Sequence, residues 1–225
     1  MQPSNPHILK LDDFLSKLDG FDLIIDVRSP AEFALDHIPG AVNFPVLNND
    51  ERAQIGTLYK QVSPFAAKKL GAALVSKNIA THIENNLLDL PREWRPLIYC
   101  WRGGERSGAF THILNRIGWK AMQLESGYQG FRRTVISGLE QAASAYRFQV
   151  ICGMTGSGKT RVLQEIGQLG AQILDLEGLA VHRGSVLGNE PNIEQPSQKS
   201  FETALWNALR KLDPSKPVVV ESESK

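Results

Sequence analysis

Pro96-Leu97-Ile98-Tyr99-Cys100-Trp101-Arg102-Gly103-Gly104-Glu105-Arg106-Ser107 is the stretch on which the fold of the first half of this chain turns. Four strand-forming residues feed one cysteine into a glycine-containing, doubly basic loop. Phe110, Ile113, Leu114 and Ile117 then recur at helical spacing. The pattern predicts a strand-loop-helix unit with Cys100 at its mouth. There the unpaired N–H groups of the loop and first helical turn, together with Arg102 and Arg106, favour an anionic sulfur. Cys100 and Arg106 enclose five residues, Trp101, Arg102, Gly103, Gly104 and Glu105. With Ser107, that length leaves room for a tetrahedral oxyanion ringed by N–H donors and a guanidinium. The plainer alternative is a buried strand cysteine beside a solvated charged turn. Glycines, arginines and a helix start in one place favour a nucleophile in an anion cradle.

A second cradle follows about fifty residues later. Gly153-Met154-Thr155-Gly156-Ser157-Gly158-Lys159-Thr160 fits G-x-x-x-x-G-K-[ST]. Phe148 to Cys152 reads as a buried strand before it. Val162, Leu163, Ile166 and Leu169 give a helix face after it, ending near Gly170. Gly153, Thr155, Gly156, Ser157 and Gly158 bring backbone N–H groups close to phosphate oxygens. Lys159 adds a point charge, and Thr160 would hold a magnesium ion; no other metal is assigned. An acidic partner is expected at the end of a neighbouring apolar strand. Glu221, after Pro217-Val218-Val219-Val220, is the first candidate and Asp175 the second, with a solvated strand end as the alternative for Glu221 and Glu223.

Composition sets the frame. The 225 residues are 42% hydrophobic and 22% charged, which suits a chain of one or two domains that buries a core, and the alternation of short strands and helices along it makes it α/β. A formal net charge of +1 gives no bulk signal of nucleic-acid binding. Two cysteines, Cys100 and Cys152, make no disulfide framework. With no apolar run near membrane length and no leader-like N-terminus, a cytoplasmic protein without a membrane partner is expected. Residues 1–135 alternate short strands and helices around a helical insertion at about 51–86, whose Lys60, Lys68 and Lys69 face either a polyanion or solvent. Residues 136–145 suit a linking helix, its pattern starting at Thr134. From 146 to 225 the chain reads as a P-loop unit with a polar loop (His182, Arg183, Gly184, Ser185, Gly188) and a helix capped by Ser200. A central strand so close to Lys225 leaves that sheet short, so the P-loop domain is expected to be incomplete at its C-terminus.

Asp22-Leu23-Ile24-Ile25-Asp26-Val27-Arg28, Glu32-Phe33 and His37-Ile38-Pro39-Gly40-Ala41-Val42-Asn43 closely resemble rhodanese domains, and Glu125 to Arg132 resembles the segment that closes them. The Cys100 loop is one residue longer than the usual sulfurtransferase loop and is similar to that of related phosphatases. With the P-loop and Glu221 to Lys225, the whole chain resembles the bacterial tRNA 2-selenouridine synthase family. The resemblance implies a rhodanese-like parallel-sheet domain followed by a partial P-loop (mononucleotide-binding) domain. It also implies geranylation of wobble 2-thiouridine in tRNA by geranyl diphosphate, then displacement of the S-geranyl group by selenium from selenophosphate. No tightly bound cofactor is implied, tRNA is the partner, and an enzyme producing selenophosphate is a second one. In that scheme Cys100 attacks or carries selenium, Arg102 and Arg106 hold the phosphoryl oxyanion, and Lys159 holds the diphosphate. Other readings of the same motifs are a rhodanese-type sulfurtransferase using a thiosulfate or persulfide donor, coupled to a nucleotide-binding module; a cysteine-dependent phosphatase; and an ATP-dependent regulator or tRNA scaffold.

Overall fold

The computed structural model describes residues 7–17, 20–154, 156–182 and 194–222. Thr155, Arg183, Gly184, Ser185, Gly188 and Glu223, singled out from sequence, lie outside them. The chain forms two compact units, residues 1–132 and 133–225.

The first unit is a five-stranded parallel sheet, and each parallel pair requires a crossover connection. In chain order its elements are β1 (Ile8–Leu9), α1 (Leu11–Lys17), β2 (Leu23–Asp26), α2 (Pro30–Leu35) and β3 (Ala41–Asn43). They continue with α3 (Asn49–Gln61), α4 (Pro64–Asn86), β4 (Pro96–Tyr99), α5 (Glu105–Ile117) and β5 (Met122–Leu124). Strand order is β1-β5-β4-β2-β3. All four residues of β4 are buried, as a central parallel strand covered on both faces must be. Ile25, Ile98, Phe110, Leu114 and Ile79 form one apolar cluster that includes Cys100. Ile117, on the expected helix face, is 53% exposed, because α5 ends there and turns away at Gly118.

The helical insertion is two helices, each started by its own sequence. Asn48 and Glu51 form a reciprocal capping box on α3, with both bonds at 2.8 Å. Ser63 caps α4 by accepting from the Ala66 N–H at 3.3 Å, with Pro64 in the first turn. Asn78 ties α4 back by donating to the Val46 carbonyl and to Glu51. Beneath α2 lies a buried ionic knot. Arg28, 1% exposed, donates to both Asp26 oxygens and to the Asp36 carbonyl, and its guanidinium lies 4.0 Å from the centre of the Tyr128 ring. Burial opposes the Arg28 charge, but the Asp26 bonds outweigh it and hold its pKa above the ordinary value.

The expected linking helix at 136–145 is the second part of a longer one, α6 (Gly127–Ala145). At Gly130 a Cβ would lie 2.7 Å from that of Ser126 and 3.1 Å from the Leu11 side chain, so close packing requires glycine inside this helix.

The second unit contains β6 (Phe148–Ile151), α7 (Lys159–Gln168), β7 (Gln172–Leu174), α8 (Leu176–Ala180), α9 (Gln198–Leu209) and β8 (Val218–Glu221). Its sheet is parallel in the order β6-β8-β7. β8 is central and fully buried. β6 is an edge strand, and Phe148 and Val150 are 39% and 53% exposed, so the expected buried strand is a partly uncovered one and Cys152 is exposed. Leu163 carries the buried face of α7, while Val162 and Leu169 point away from the sheet and stay exposed. α9 is capped by Ser197, which accepts from the Ser200 N–H at 3.1 Å, rather than by Ser200 itself.

Candidate functional site

Cys100 leaves the C-terminal end of β4, where ligands collect in parallel α/β sheets. It is 3% exposed, and its Sγ accepts a hydrogen bond from Ser107 Oγ at 3.1 Å. The loop passes through Gly103 at φ +65° and enters α5 with Gly104 at the cap, which aims the first-turn N–H groups toward the loop. Only glycine fits at Gly103, since a Cβ there would lie 2.6 Å from the Leu124 carbonyl oxygen. Gly127 at φ +51° packs from the other side, where a Cβ would meet the Cys100 carbonyl and lie 2.6 Å from the Gly103 nitrogen. The Tyr128 and Gln129 N–H groups donate to the carbonyls of Cys100 and Trp101 at 2.8 and 2.9 Å. Gln123 Nε2 lies within bonding distance of the Gly103 and Gly104 carbonyls and of Ser107 Oγ. The loop is therefore held rigidly from β5 and the start of α6.

The two arginines are placed differently. Arg106 donates to Glu32 at 2.9 Å, and Arg52 of α3 lies 3.8 Å from the same carboxylate. Burial pushes the Glu32 carboxyl up, but the Arg106 bond and charge, with the Ser29 N–H and Arg52, hold it below the ordinary value. Arg102 is exposed. Both arginines line one cleft of about 560 Å³ with Cys100, Trp101, Gly104 and Glu105, closed on its far side by Arg52, Tyr59 and Lys60 of α3. Glu32, Gln123 and Gly127 were not identified as site residues from sequence. Their link to the loop spans long chain separations and leaves no local pattern.

In the second unit, Gly156 and Gly158 take positive φ angles of 77° and 81°, and α7 begins at Lys159. Lys159 Nζ turns back onto the Gly153 and Met154 carbonyls at 2.9 and 3.2 Å. Ser157 follows the same turn, its N–H donating to the Met154 carbonyl. Thr160 Oγ1 lies 2.8 Å from Glu221 Oε2 and 3.3 Å from Glu177 Oε2. Glu221 is 5% exposed, which excludes the solvated strand end, and its Oε1 is buried with no hydrogen-bond partner among the described residues. Burial raises its pKa, the Thr160 bond opposes this, and Glu177 and Asp175 add to the rise. Asp175 itself caps α8 by accepting from the Gly178 N–H at 2.7 Å. A threonine hydroxyl beside a carboxylate with an orphaned oxygen is a donor set that fits a hard divalent cation such as magnesium. Among the described residues no group of three or more His, Cys, Asp or Glu could hold a metal by themselves. The cation would thus take its remaining ligands from water and phosphate.

This combination of a cysteine loop at the end of β4, the buried Asp26–Arg28 pair and the five-stranded parallel order coincides with a match to the rhodanese-like domain family over residues 10–134. The chain belongs to the rhodanese-like family. Residues 146–225 match the tRNA 2-selenouridine synthase AAA domain. Curated relatives include the tRNA 2-selenouridine synthases of Nitrosomonas europaea, 40% identical over 98% of this chain, and Nitrosomonas eutropha, 39% identical over 99%. That of Alcanivorax borkumensis is 39% identical over 95%. In all three comparisons the chain spans 58% of the relative's length. No helix among the described residues is long and apolar enough to cross a membrane.

Proposed function

We propose that this rhodanese-like chain is the part of a tRNA-modifying transferase that carries both reactive sites, replacing the sulfur of wobble 2-thiouridine with selenium through an S-geranyl intermediate in the cytoplasm. The observation that carries the reading is the presence, in one chain, of a cysteine loop held from β5 and α6 and of a P-loop, with relatives bearing the synthase name. In the first reaction the thione sulfur attacks geranyl diphosphate and diphosphate leaves. The P-loop N–H groups and Lys159 hold the departing charge, which is where such donors lower a barrier most. Thr160 and Glu221 would hold a magnesium ion there, whose chemistry is to neutralise diphosphate oxygens.

In the second reaction the Cys100 thiolate attacks phosphorus of selenophosphate, forming a sulfur–phosphorus bond as the phosphorus–selenium bond breaks. The α5 N-terminus binds the phosphoryl oxygens, and Arg106 joins it by exchanging Glu32 for the substrate anion. The freed selenide adds to C2 of the base, geranylthiolate leaves, and water releases phosphate from Cys100. Geranylation fits this order, because a thiolate leaves more readily than sulfide. Selenophosphate is supplied by a separate enzyme.

Mass spectrometry of nucleosides from 2-thiouridine tRNA, incubated with the protein, geranyl diphosphate and selenophosphate, tests the scheme. Cys100→Ser should abolish 2-selenouridine and let the S-geranyl nucleoside accumulate, and Lys159→Ala should suppress the S-geranyl nucleoside. Loss of both products in a folded Cys100→Ser protein refutes the division of labour. The membership of residues 10–134 in the rhodanese-like family favours one second reading, sulfur transfer coupled to nucleotide binding. A thiosulfate-dependent persulfide on Cys100, formed without any change in tRNA, would select it.

A further inference from the structure

The cleft at Cys100 has an apolar annexe. Beside the cationic mouth, α3, α4 and α5 border a second, half-open cleft of about 470 Å³, within the range of small-molecule sites, with Lys68 at its rim. Its walls include Leu47, Ala67, Ala72, Val75 and Ala109. Arg52, Ile55, Tyr59, Glu105 and Arg106 line both spaces, so the two share one wall. The small side chains of Ala67 and Ala72 on α4 leave room opposite Ile55 and Tyr59 on α3. A phosphoryl donor uses only the cationic mouth, and a bare nucleoside gives no use to an aliphatic wall. A site divided this way matches a ligand with an anionic or polar part at the cysteine and an aliphatic group attached close by.

We propose that this annexe holds the geranyl chain of the S-geranylated wobble nucleoside while its C2 carbon faces the Cys100 loop. This rests on the S-geranyl reading above and adds to it a second lipid-binding place, in the rhodanese-like unit, separate from the P-loop where geranyl diphosphate is consumed. The chain then acts as the handle that orients the base. Apolar burial favours the alkylated nucleoside over the 2-thiouridine that precedes it and the 2-selenouridine that follows, so binding directs the order of the steps.

The test is binding of two anticodon stem-loop RNAs, one with S-geranyl-2-thiouridine and one with S-methyl-2-thiouridine at the wobble position, measured by fluorescence anisotropy on the full chain. The native protein should prefer the geranyl RNA by about tenfold or more, and Ala72→Trp, which fills the annexe from an exposed helix position, should bring that ratio close to one. Ile55→Asn, which places an amide on the shared wall without filling the space, should lower the ratio too, and it decides the matter if Ala72→Trp does not fold. A native preference that survives in both folded variants overturns the annexe and leaves the S-geranyl reading standing. No preference in the native protein overturns the annexe as well, and the S-geranyl reading then stands or falls on whether the S-geranyl nucleoside forms in the mass-spectrometric assay above.

Discussion

Gly127→Ala is the sharpest probe of how the cysteine loop is held. Gly127 has φ +51°, and an added Cβ would meet only backbone, the Cys100 carbonyl and the Gly103 nitrogen, so no side chain can rotate away to relieve it. The left-handed conformation alone costs an alanine about 1–2 kcal/mol. Moving the segment aside also strains the bonds from the Tyr128 and Gln129 N–H groups to the Cys100 and Trp101 carbonyls, each worth about 1 kcal/mol. The sum is a destabilisation of about 3–4 kcal/mol. Urea unfolding followed by tryptophan fluorescence in a Trp206→Phe background would report on Trp94, Trp101 and Trp119, all in the first unit. Alkylation of Cys100 under native conditions should accelerate in parallel, since the loop that buries it is loosened. Gly104→Ala is the control. Gly104 has negative φ and open space where its Cβ would be, so its cost should stay at about 1 kcal/mol or less, as for a changed helix cap. A Gly127→Ala protein within about 0.5 kcal/mol of its parent, with unchanged alkylation, would refute the account of loop rigidity.

Two other substitutions probe buried charge. Asp26→Asn leaves the Arg28 guanidinium buried without its counter-ion and should cost the first unit about 3–5 kcal/mol in the same urea assay; a loss below about 1 kcal/mol would contradict the pairing. Glu221 has a pKa raised above that of the unfolded chain, so its protonated form contributes stability that is fully present below about pH 4.3 and is lost as pH rises through the raised value. Glu221→Gln should therefore melt higher than the native protein at neutral pH, with the difference closing on acidification. If Thr160 and Glu221 hold magnesium as proposed, the ion should raise the melting temperature of the native chain and not that of Glu221→Gln, and an equal response in both would remove Glu221 from the cation site.

Both glycine-containing loops were legible because each is a local event, with strand, glycines, cation and helix start adjacent in the chain. What was not legible depends on distant segments. Glu32 meets Arg106 across 74 residues, and the Gln123 amide reaches the loop from a neighbouring strand. The run Val218-Val219-Val220-Glu221 reads equally as a strand ending in solvent. It becomes a buried carboxylate only because β6 and β7 flank it and Thr160 covers its end. Gly127 and Gly130 lie inside a helix where close packing against the loop and Leu11 leaves no room for a Cβ, a constraint set by distant segments.

The ammonium group of Lys159 already donates to the Gly153 and Met154 carbonyls, so an arriving phosphate enters an exchange rather than a vacant field. A singly charged, singly anchored anion swaps roughly equal bonds and gains little. On the proposed reading a diphosphate would span the loop N–H groups and the lysine together, which a singly anchored anion does not. The self-bonded lysine would then act as a threshold, discriminating by the number and spacing of negative oxygens rather than by charge alone.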